Sequence, residues 1–279
     1  MTDAARPALV IGPARREEWA TVVEWAQAEG WTPGEDAVSF FAQDPDGFFL
    51  GRIGGEPVSA VSVVNYGAEY AFLGFYLVRP DLRGQGLGIA TWRAGLAHAG
   101  SRVVGLDGVP DQQDNYRRSG FELAYRSARF SGVPRLPAPD ATVRAFTPED
   151  AALVHAYDSD CVPADRPRFL GSWLGDPRHK TVVRIVDGRL TGFGTIRPAR
   201  GSMRIGPLFA DSDDDARHLL AALADGPLAV DVPLCNEPAV QLVEKCGLTS
   251  SFETARMYTG PVRQHRVDRV FGTTTLELG

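Results

Sequence analysis

Apolar and polar residues follow each other along the chain in the order expected of an α/β protein. Several apolar runs have strand length, and between them apolar residues recur at the three- and four-residue spacing of a helix. The runs at 48–53 and 57–64 are separated by Gly54-Gly55, which predicts a hairpin turn. The next run, 71–78, precedes a glycine-rich turn and a further helical pattern. The chain here is predicted to form a strand, a turn and a helix in that order.

The second half of the chain repeats the first in degenerate form. Residues 205–209 mirror 73–77, and 246–248 mirror 119–121. The proline-rich stretch between the halves lacks periodicity, and we interpret it as an interdomain linker. A β-rich tail follows the second half, and we expect it to add an edge strand to one of the sheets. The predicted boundaries are a first domain at 1–133, a linker at 134–141, a degenerate second domain at 142–262 and the tail at 263–279.

The composition excludes several classes of protein. The chain has 279 residues, enough for two domains, and its 44% hydrophobic and 23% charged residues are typical of a globular protein. The net charge of −6 leaves no basic surface for nucleic acid. No apolar run reaches the roughly 18 residues of a membrane helix, and the N-terminus lacks the apolar core of a signal peptide. We therefore expect a cytoplasmic protein without nucleic-acid or membrane partners.

The cysteines and histidines indicate neither disulfides nor a metal site. Cys161, Cys235 and Cys246 show no C-x-x-C spacing and are interpreted as reduced thiols. The five histidines are scattered, with no pair at metal-ligand spacing. The sequence therefore predicts no metal.

The glycine-rich turn is the stretch around which the chain is organised. It reads Arg-Gly-Gln-Gly-Leu-Gly-Ile-Ala over residues 83–90. A helix N-terminus leaves its first N–H groups without partners and carries partial positive charge, and glycines let a ligand approach the backbone closely. The turn therefore predicts a cradle for phosphate oxygens. It is not a dinucleotide fingerprint, because Ile89 stands where the third glycine belongs, and no lysine follows as in a P-loop.

Residues 79–88, which follow the apolar strand, carry the pattern Arg-x-x-Gly-x-Gly. This segment resembles the coenzyme A pyrophosphate loop of the GCN5-related N-acetyltransferases, the GNAT superfamily; the alternative is an ordinary strand–helix turn with three glycines. Residues 31–34, 74–78 and 107–121 are similar to bacterial two-domain members of the YitH type. The resemblance covers about residues 9–130 well and 143–260 in degenerate form. It implies a tandem α/β (α+β) fold with two mixed central β-sheets flanked by helices.

The resemblance implies acetyl-CoA as the cofactor. In the family it pairs with the open end of the central strand, which here maps to the backbone of Tyr76, Leu77 and Val78. One N–H group there binds the thioester oxygen, and such oxyanion stabilisation is typically worth several kcal/mol. Arg83 either adds positive charge or fixes the turn. The N–H groups implied to hold the pyrophosphate are those of Gly84, Gln85, Gly86, Leu87, Gly88, Ile89 and Ala90.

Tyr116 is the residue that the resemblance implies for general acid catalysis. It stands five residues before Phe121, in the family's Tyr-x-x-x-Gly-Phe element, whose tyrosine faces the coenzyme A sulfur. A phenol of pKa about 10 can protonate a leaving thiolate of pKa about 8.5. The alternative is a packing residue at a helix end. The family's Asn-x-x-Ala upstream of this tyrosine is missing here, yet residues 236–239 of the second copy keep it.

A substrate ammonium must lose a proton before it attacks, so a base or a water chain is needed. Asp107, Glu35 and Asp36 are the candidate bases, and Asp107 recurs as Asp231 in the second copy, which favours a structural role for it. Trp31, with Glu35 and Asp36, is also predicted to form the amine pocket, because an aromatic face and carboxylates suit a cation. The alternative is a surface loop with a packed tryptophan.

The copies differ where the phosphate loop should be. Residues 211–215 of the second copy read Asp-Ser-Asp-Asp-Asp. Carboxylates stabilise a helix N-terminus but repel a pyrophosphate. We therefore expect the second domain not to bind coenzyme A in this manner.

The function predicted from the sequence is an acetyl-CoA-dependent N-acyltransferase that acts on a small-molecule amine by direct attack. The second domain is expected to shape or cover the acceptor cleft. Two alternatives stay open: a non-catalytic coenzyme A binder with an interaction module, and a protein Nα- or lysine acetyltransferase. The sequence identifies neither the amine nor the oligomeric state, and a homodimer is one state that it allows.

Overall fold

The computed structural model describes residues 8–34, 36–199 and 201–279. In these residues, thirteen strands form one mixed sheet, with helices on its faces. The strands are β1 Leu9–Pro13, β2 Phe48–Ile53, β3 Glu56–Tyr66, β4 Tyr70–Val78, β5 Val103–Gly108, β6 Glu122–Gly132, β7 Val143–Ala145, β8 Lys180–Val186, β9 Arg189–Ala199, β10 Ser202–Ala210, β11 Leu228–Pro233, β12 Thr249–Tyr258 and β13 Val270–Gly272. The helices are α1 Trp19–Ala28, α2 Ala37–Gln43, α3 Leu87–Ala99, α4 Gln113–Arg118, α5 Ala151–Cys161, α6 Pro167–Gly175, α7 Asp213–Leu223 and α8 Glu237–Lys245.

The repeated order of similar segments in the sequence corresponds to a repeated order of strands and helices. In the first half, β1 to β4 form an antiparallel meander, and α3 then returns the chain so that β5 pairs with β4 in parallel. In the second half, β7 to β10 form the matching meander, and α7 leads to β11, which is parallel to β10. The middle of β3 is buried on both faces of the sheet, which explains its unbroken apolar run.

The last strands of the two halves are exchanged. Strand β6, from the first half, pairs with β11 of the second half, and β12, from the second half, pairs with β5 of the first. The two exchanged strands also pair with each other along most of their length. Each half therefore completes the sheet of the other, and the two predicted sheets are joined into one.

An ion pair lies at each exchange. Asp107 on β5 is the cross-strand neighbour of Arg256 on β12, and Asp231 on β11 is the neighbour of Arg129 on β6. Both pairs are buried and directly bonded, with nitrogen–oxygen distances of 2.7 Å for the first and 2.8 Å for the second. The sequence repeat from Asp107 to Asp231 is thus a repeat of the residues that hold the exchanged strands.

The tail does not add an edge strand, and that expectation was wrong. Strand β13 pairs antiparallel with β10, which is an interior strand already paired with β9 and β11. β13 fits there because β10 and β11 are paired only at their first residues, where 203–205 face 228–230, and then diverge. The Thr273 amide donates to the carbonyl of Asp231 at 2.8 Å and extends this contact to β11.

Aromatic residues join the helices to the sheet and the two halves to each other. Trp19 of α1 is fully buried and packs edge-on against Phe48 of β2, with ring centroids 4.9 Å apart. Phe169 and Trp173 of α6 belong to the same apolar cluster, although α6 comes from the second half. Burial of side chains of this size contributes about 1.5–3 kcal/mol each. No helix in the described part of the chain is long and apolar enough to cross a membrane.

Candidate active site

The site begins where β4 and β5 diverge. The two strands pair in parallel only from Tyr70 to Leu73 of β4, while β5 continues along β12 as far as Gly108. Beyond Leu73, β4 contains a bulge against β3, and Phe75 takes a left-handed backbone conformation with φ of 47°. The resulting wedge leaves the end of β4, residues 76–78, facing an open cleft. Tyr76, Leu77 and Val78, whose backbone groups are predicted to contact the cofactor, all line this cleft.

The glycine turn follows directly and has the geometry of a cradle. Gly84 and Gly86 have φ of 77° and 80°, and a Cβ atom at either would meet no atom within 4 Å, so both positions face open space. Gly86 is the N-cap of α3. At Gly88, in contrast, a Cβ atom would lie 2.5 Å from the Tyr76 hydroxyl, so the helix start rests directly on β4. These observations fit a bound pyrophosphate, because the first N–H groups of α3 point to an accessible surface.

Arg83 holds the turn in place. Its Nε donates to the carbonyl oxygen of Val78 at 3.1 Å, and its Nη2 is paired with Glu29 at the end of α1. Of the two roles that the sequence left open, this geometry accounts for fixing the turn.

The cleft has a volume of about 550 Å³. Its lining includes most of the residues expected to bind coenzyme A, with additional residues just after α1 and just before α4. Gln85 and Ala90 of the predicted set are outside this lining. The residues of the predicted set that line it are Tyr76, Leu77, Val78, Arg83, Gly84, Gly86, Leu87, Gly88, Ile89 and, for acid catalysis, Tyr116.

Tyr116 stands at the inner end of this cleft. It lies on α4, its ring stacks on Trp92 with centroids 5.7 Å apart, and it is 8% exposed. The ring also packs on Gly108 at the end of β5, where a Cβ atom would lie 2.3 Å from the Tyr116 Cε2 atom. Burial raises the pKa of Tyr116 well above that of a free phenol. The hydroxyl is therefore protonated throughout the neutral range.

A smaller cavity adjoins the cleft at Tyr116. It has a volume of about 50 Å³, and it shares Trp31, Tyr76, Val109 and Tyr116 with the larger cleft. Part of its wall comes from the second half of the chain. These residues are Phe252 and Thr254 of the exchanged strand β12, and Leu276 and Glu277 of the tail.

Comparisons with known proteins agree with this architecture. A family model described as "Acetyltransferase (GNAT) family" matches residues 14–121, and one described as "Acetyltransferase (GNAT) domain" matches residues 154–272. The holothin acyltransferase of a Pseudoalteromonas strain is 37% identical over 276 residues, which span 96% of this chain and 93% of that protein. The chain belongs to the GNAT superfamily and is a tandem member of it. Acyl transfer is the reaction that these matches support.

Two further similarities concern the tandem arrangement. The N-acetyltransferase YitH of Bacillus subtilis is 23% identical over 212 residues, covering 73% of this chain and 75% of its own. An acetyltransferase-type structure from Pyrococcus horikoshii superimposes with a TM-score of 0.83 at 21% identity, over 100% of this chain and 99% of that one. The YitH-like organisation inferred from the sequence, and the tandem GNAT fold, are thereby confirmed.

In this GNAT protein, the carboxylate of Asp107 is already hydrogen-bonded to an arginine. It accepts hydrogen bonds from Nε and Nη2 of Arg256 at 2.8 and 2.7 Å, and its side chain is fully buried. Burial raises the pKa of Asp107, and the Arg256 guanidinium acts in the opposite direction. Asp107 lines the small cavity. Because both of its oxygens are bonded to Arg256, however, they are poorly placed to take a proton from an amine.

The loop that carries Trp31 is anchored by one arginine from each half of the chain. Arg129 donates to the Trp31 carbonyl and to the Thr32 hydroxyl, both at 2.8 Å, and Arg204 donates to the Thr32 carbonyl at 3.0 Å. Thr32 has φ of 46°, so the loop is held in an unusual backbone conformation. Trp31 is thereby fixed against both cavities, as the prediction of an amine pocket requires.

Asp36 does not reach the small cavity. It is buried against β9, where Arg197 donates to it at 2.8 Å, and the ring of His179 lies 3.3 Å away. Burial alone would raise the pKa of Asp36, but Arg197 and His179 outweigh it and hold the pKa below its ordinary value. Asp36 therefore ties the first half to the second, and Glu35 lies outside the described residues.

Glu277 is a site residue that sequence reasoning missed. It lies in the cavity wall and is 6% exposed. Its Oε2 atom has no hydrogen-bond partner among the described residues. No counterpart exists in the first copy, because the tail follows the repeat, so the internal comparison gave no signal. The only available sign was a carboxylate in the apolar and threonine-rich last ten residues, 270–279.

In the second GNAT repeat, the place of the cleft is filled. Strand β13 lies in the wedge between β10 and β11. Asn236, which keeps the family's Asn-x-x-Ala, donates through its side chain to the carbonyl groups of Val267, Asp268 and Val270, with distances of 3.4, 3.0 and 3.0 Å. The residue that in the family contacts coenzyme A here holds the protein's own tail.

The acidic stretch that replaces the phosphate loop is paired with arginines. Asp211 accepts a hydrogen bond from Arg189, and Asp215 accepts one from Arg184. The Ser212 hydroxyl caps α7 by accepting a hydrogen bond from the Asp215 amide. The helix N-terminus thus has a hydroxyl cap and nearby carboxylates of the chain itself.

Proposed function

We propose that this protein is an acetyl-CoA-dependent N-acyltransferase that transfers an acetyl group to a primary amine of a small molecule. The first repeat carries the reaction, and the second repeat and the tail form one wall of the acceptor cavity. The observation that carries the proposal is the position of Tyr116. It lines both the cleft of about 550 Å³ at the glycine cradle and the adjoining cavity of about 50 Å³ that Glu277 also lines.

Bound acetyl-CoA would supply an activated acyl thioester. The N–H groups at the start of α3 would hold its pyrophosphate, and Gly84 and Gly86 leave room for it. A backbone N–H at the end of β4 would face the thioester oxygen and stabilise the charge that develops there, a contribution of several kcal/mol. Tyr116 would then donate its proton to the departing sulfur, and its raised pKa keeps that proton available at neutral pH.

Direct attack of the amine fits the arrangement. No covalent enzyme intermediate is needed, because the acceptor in the small cavity and the thioester in the cleft would meet beside Tyr116. Holding both reactants in one geometry removes much of the entropic barrier of a bimolecular step. The proton lost by the amine requires an acceptor.

The enclosure of the small cavity favours a small acceptor. Its walls come from the Trp31 loop, β4, the end of β5, α4, β6, β12 and the tail. An extended protein chain would have to displace Glu277, whose backbone packs against Gly74 of β4. The 37% identical relative is named as a holothin acyltransferase, and acyl transfer is also the reaction proposed for this chain.

Calorimetric titration of acetyl-CoA into the full-length chain tests the cofactor. One site per chain is expected, because β13 fills the wedge of the second repeat. Gly86→Asp should abolish binding, while the control Gly188→Asp should not. Gly188 has the same positive φ, 75°, and equally open surroundings, but lies in a hairpin of the second repeat. Two sites in the wild type, or retained binding in Gly86→Asp, would contradict the assignment.

A thiol-release assay with a panel of amines and peptides tests the reaction. Transfer to small amines but not to peptides is expected. Tyr116→Phe should lower kcat by about 100-fold with unchanged affinity for acetyl-CoA. Tyr157→Phe, which removes a hydroxyl in the second repeat, should leave kcat unchanged. Binding without transfer to any acceptor would favour the non-catalytic alternative, and transfer to peptides alone would favour a protein acetyltransferase.

A further inference from the structure

We propose that Glu277, supplied by the C-terminal tail, is the base that binds the acceptor ammonium and takes its proton. The inference rests on the proposed acyl transfer and adds the residue that it lacks. The tail thus has two parts with different tasks. Residues 270–272 fill the wedge of the second repeat, and the following residues carry the carboxylate to the active site of the first.

The backbone of the tail is fixed where Glu277 enters the cavity. The amide of Glu277 donates to the Thr275 hydroxyl at 3.2 Å, and that of Leu278 donates to the same hydroxyl at 2.9 Å. The Glu277 carbonyl lies so close to Gly74 of β4 that a Cβ atom there would be 2.2 Å away. The next carbonyl, that of Leu278, accepts a hydrogen bond from the Tyr66 hydroxyl at 2.9 Å. Glu277 is therefore held beside the strand that the thioester would contact.

The carboxylate of Glu277 is only partly satisfied by the protein. Its Oε1 lies 3.9 Å from Nη1 of Arg204, an ion pair without a direct hydrogen bond. Its Oε2 is buried and has no partner among the described residues. An unpartnered buried carboxylate oxygen is costly, so a donor is expected to occupy the adjacent space. The ammonium group of an acceptor in the cavity supplies that donor.

The other carboxylates near the cavity are already bonded to arginines. Asp107 is bonded through both oxygens to Arg256, and Asp231 is bonded to Arg129 and Arg204. Asp36 is bonded to Arg197 on the far side of the Trp31 loop. Among the carboxylates described around the cavity, Glu277 is thus the one with a free oxygen.

The proton balance of the step is complete. The ammonium gives one proton to Glu277 and becomes a nucleophile. As the nitrogen–carbon bond forms and the carbon–sulfur bond breaks, the sulfur takes the proton of the Tyr116 hydroxyl. The second proton of the nitrogen then leaves to solvent and yields the neutral amide. Tyr116 and Glu277 exchange their proton through water before the next turnover.

The test compares Glu277→Gln with the control Glu253→Gln, an exposed carboxylate on β12 beside the cavity residues of that strand. Both are assayed with acetyl-CoA and a primary alkylamine from pH 6 to 10. At pH 7, Glu277→Gln should lower kcat/KM for the amine about 100-fold or more, with the affinity for acetyl-CoA unchanged. The deficit should shrink by about tenfold per pH unit as the free amine, of pKa near 10, becomes available. Glu253→Gln should match the wild type throughout.

The pH profile separates a base from a residue that only supports the fold. The charged and titratable groups facing Glu277 are Arg204 of β10, Arg197 of β9, and Arg129, Asp107 and Tyr116 in the cavity wall. None of these is altered in the variant, so a loss that is constant from pH 6 to 10 would indicate a positioning role and overturn the proposal. Equal profiles for Glu277→Gln and the wild type would also overturn it.

Two further outcomes are decisive. If Glu277→Gln does not fold, Glu277→Asp keeps the charge near Arg204 with a shorter side chain, and it should retain the wild-type pH profile at reduced kcat. If the activity of Glu277→Asp instead rises with pH in proportion to the fraction of unprotonated amine, the proposal is overturned. If the wild type acylates no amine, the proposed function fails together with the base, whereas unchanged activity in Glu277→Gln removes the base alone.

Discussion

Asp107 and Arg256 face each other across the ladder between β5 and β12, and both carboxylate oxygens accept hydrogen bonds from the guanidinium. The pair joins a strand of the first GNAT repeat to a strand of the second. Its counterpart, Asp231 with Arg129, joins β11 to β6 in the same way. These buried pairs fix which strand completes which sheet. Their role is therefore structural and not proton transfer.

Asp231→Asn should destabilise the fold strongly. The substitution leaves Arg129 and Arg204 buried without their counter-ion, which costs about 3–5 kcal/mol when a buried pair is broken from one side. Chemical denaturation should show the loss as a lower midpoint with a similar slope. Asp213→Asn at the start of α7 is the control, and a comparable loss there would contradict the assignment.

Asp231 should also contribute to loss of stability in acid. Burial alone would raise the pKa of Asp231, but Arg204 and Arg129 outweigh it and hold the pKa below its ordinary value. A lowered pKa in the folded state stabilises above the ordinary carboxyl pKa of about 3.9, and this stabilisation is lost as the pH falls through the folded value. Unfolding free energies measured from pH 7 down to 2 should decline below pH 4. In Asp231→Asn the decline should be smaller.

Gly108→Ala should lower turnover by displacing Tyr116. The new methyl group would stand 2.3 Å from the Tyr116 ring, so the ring must move away from Gly108. A misplaced general acid costs on the order of 100-fold in kcat. Gly171→Ala on α6, where a Cβ atom meets nothing within 4 Å, is the matched control. If kcat stays at the wild-type value in Gly108→Ala, Tyr116 does not act from this position.

Because the pKa of Tyr116 is raised, the plot of kcat against pH should show no ionisation of this phenol at high pH. Burial shifts the pKa of this hydroxyl upward, so the acid form persists where a free phenol of pKa about 10 would begin to ionise. The value of kcat at saturating substrates should therefore not fall between pH 8.5 and 10 in the wild type. A fall with an apparent pKa near 9.5 that is absent in Tyr116→Phe would show that the hydroxyl titrates normally.

Asn236→Asp should loosen the tail. The amide nitrogen of Asn236 donates to carbonyl groups of residues 267, 268 and 270, and a carboxylate would place negative charge against all three. The expected loss is about 1–3 kcal/mol for the unsatisfied groups. Thermal unfolding measures it, with exposed Asn115→Asp as the control. Because the tail also carries Glu277, amine acylation should fall in Asn236→Asp even at temperatures where the protein is folded.

The glycine turn and Tyr116 could be predicted from the sequence because they are local. The φ values of Gly84 and Gly86 and the start of α3 at Leu87 depend on residues close in the chain. Tyr116 was recognisable through a motif of six residues that begins on one short helix and ends just after it. The assignment of Trp31 to the cavity also needed only its own loop and the resemblance, although the arginines that fix this loop come from distant strands.

Asp36, Asp107 and Glu277 could not be placed in the same way. The role of each carboxylate depends on whether an arginine from the other half of the chain reaches it. Arg197 lies 161 residues from Asp36, and Arg256 lies 149 residues from Asp107. No local pattern encodes such pairs, so a free carboxylate and a neutralised one look the same in the sequence.

The sequence by itself determined the α/β class, the duplication and the places of the glycine turn and of Tyr116, the residue proposed for acid catalysis. Hydrophobic period, turn glycines and short motifs are properties of neighbouring residues. Only the tertiary structure decided that β6 and β12 are exchanged, that β13 fills the second wedge and that Glu277 enters the first site. Register and strand partner are set by contacts between residues about a hundred or more positions apart, and these form only when the whole sheet is assembled.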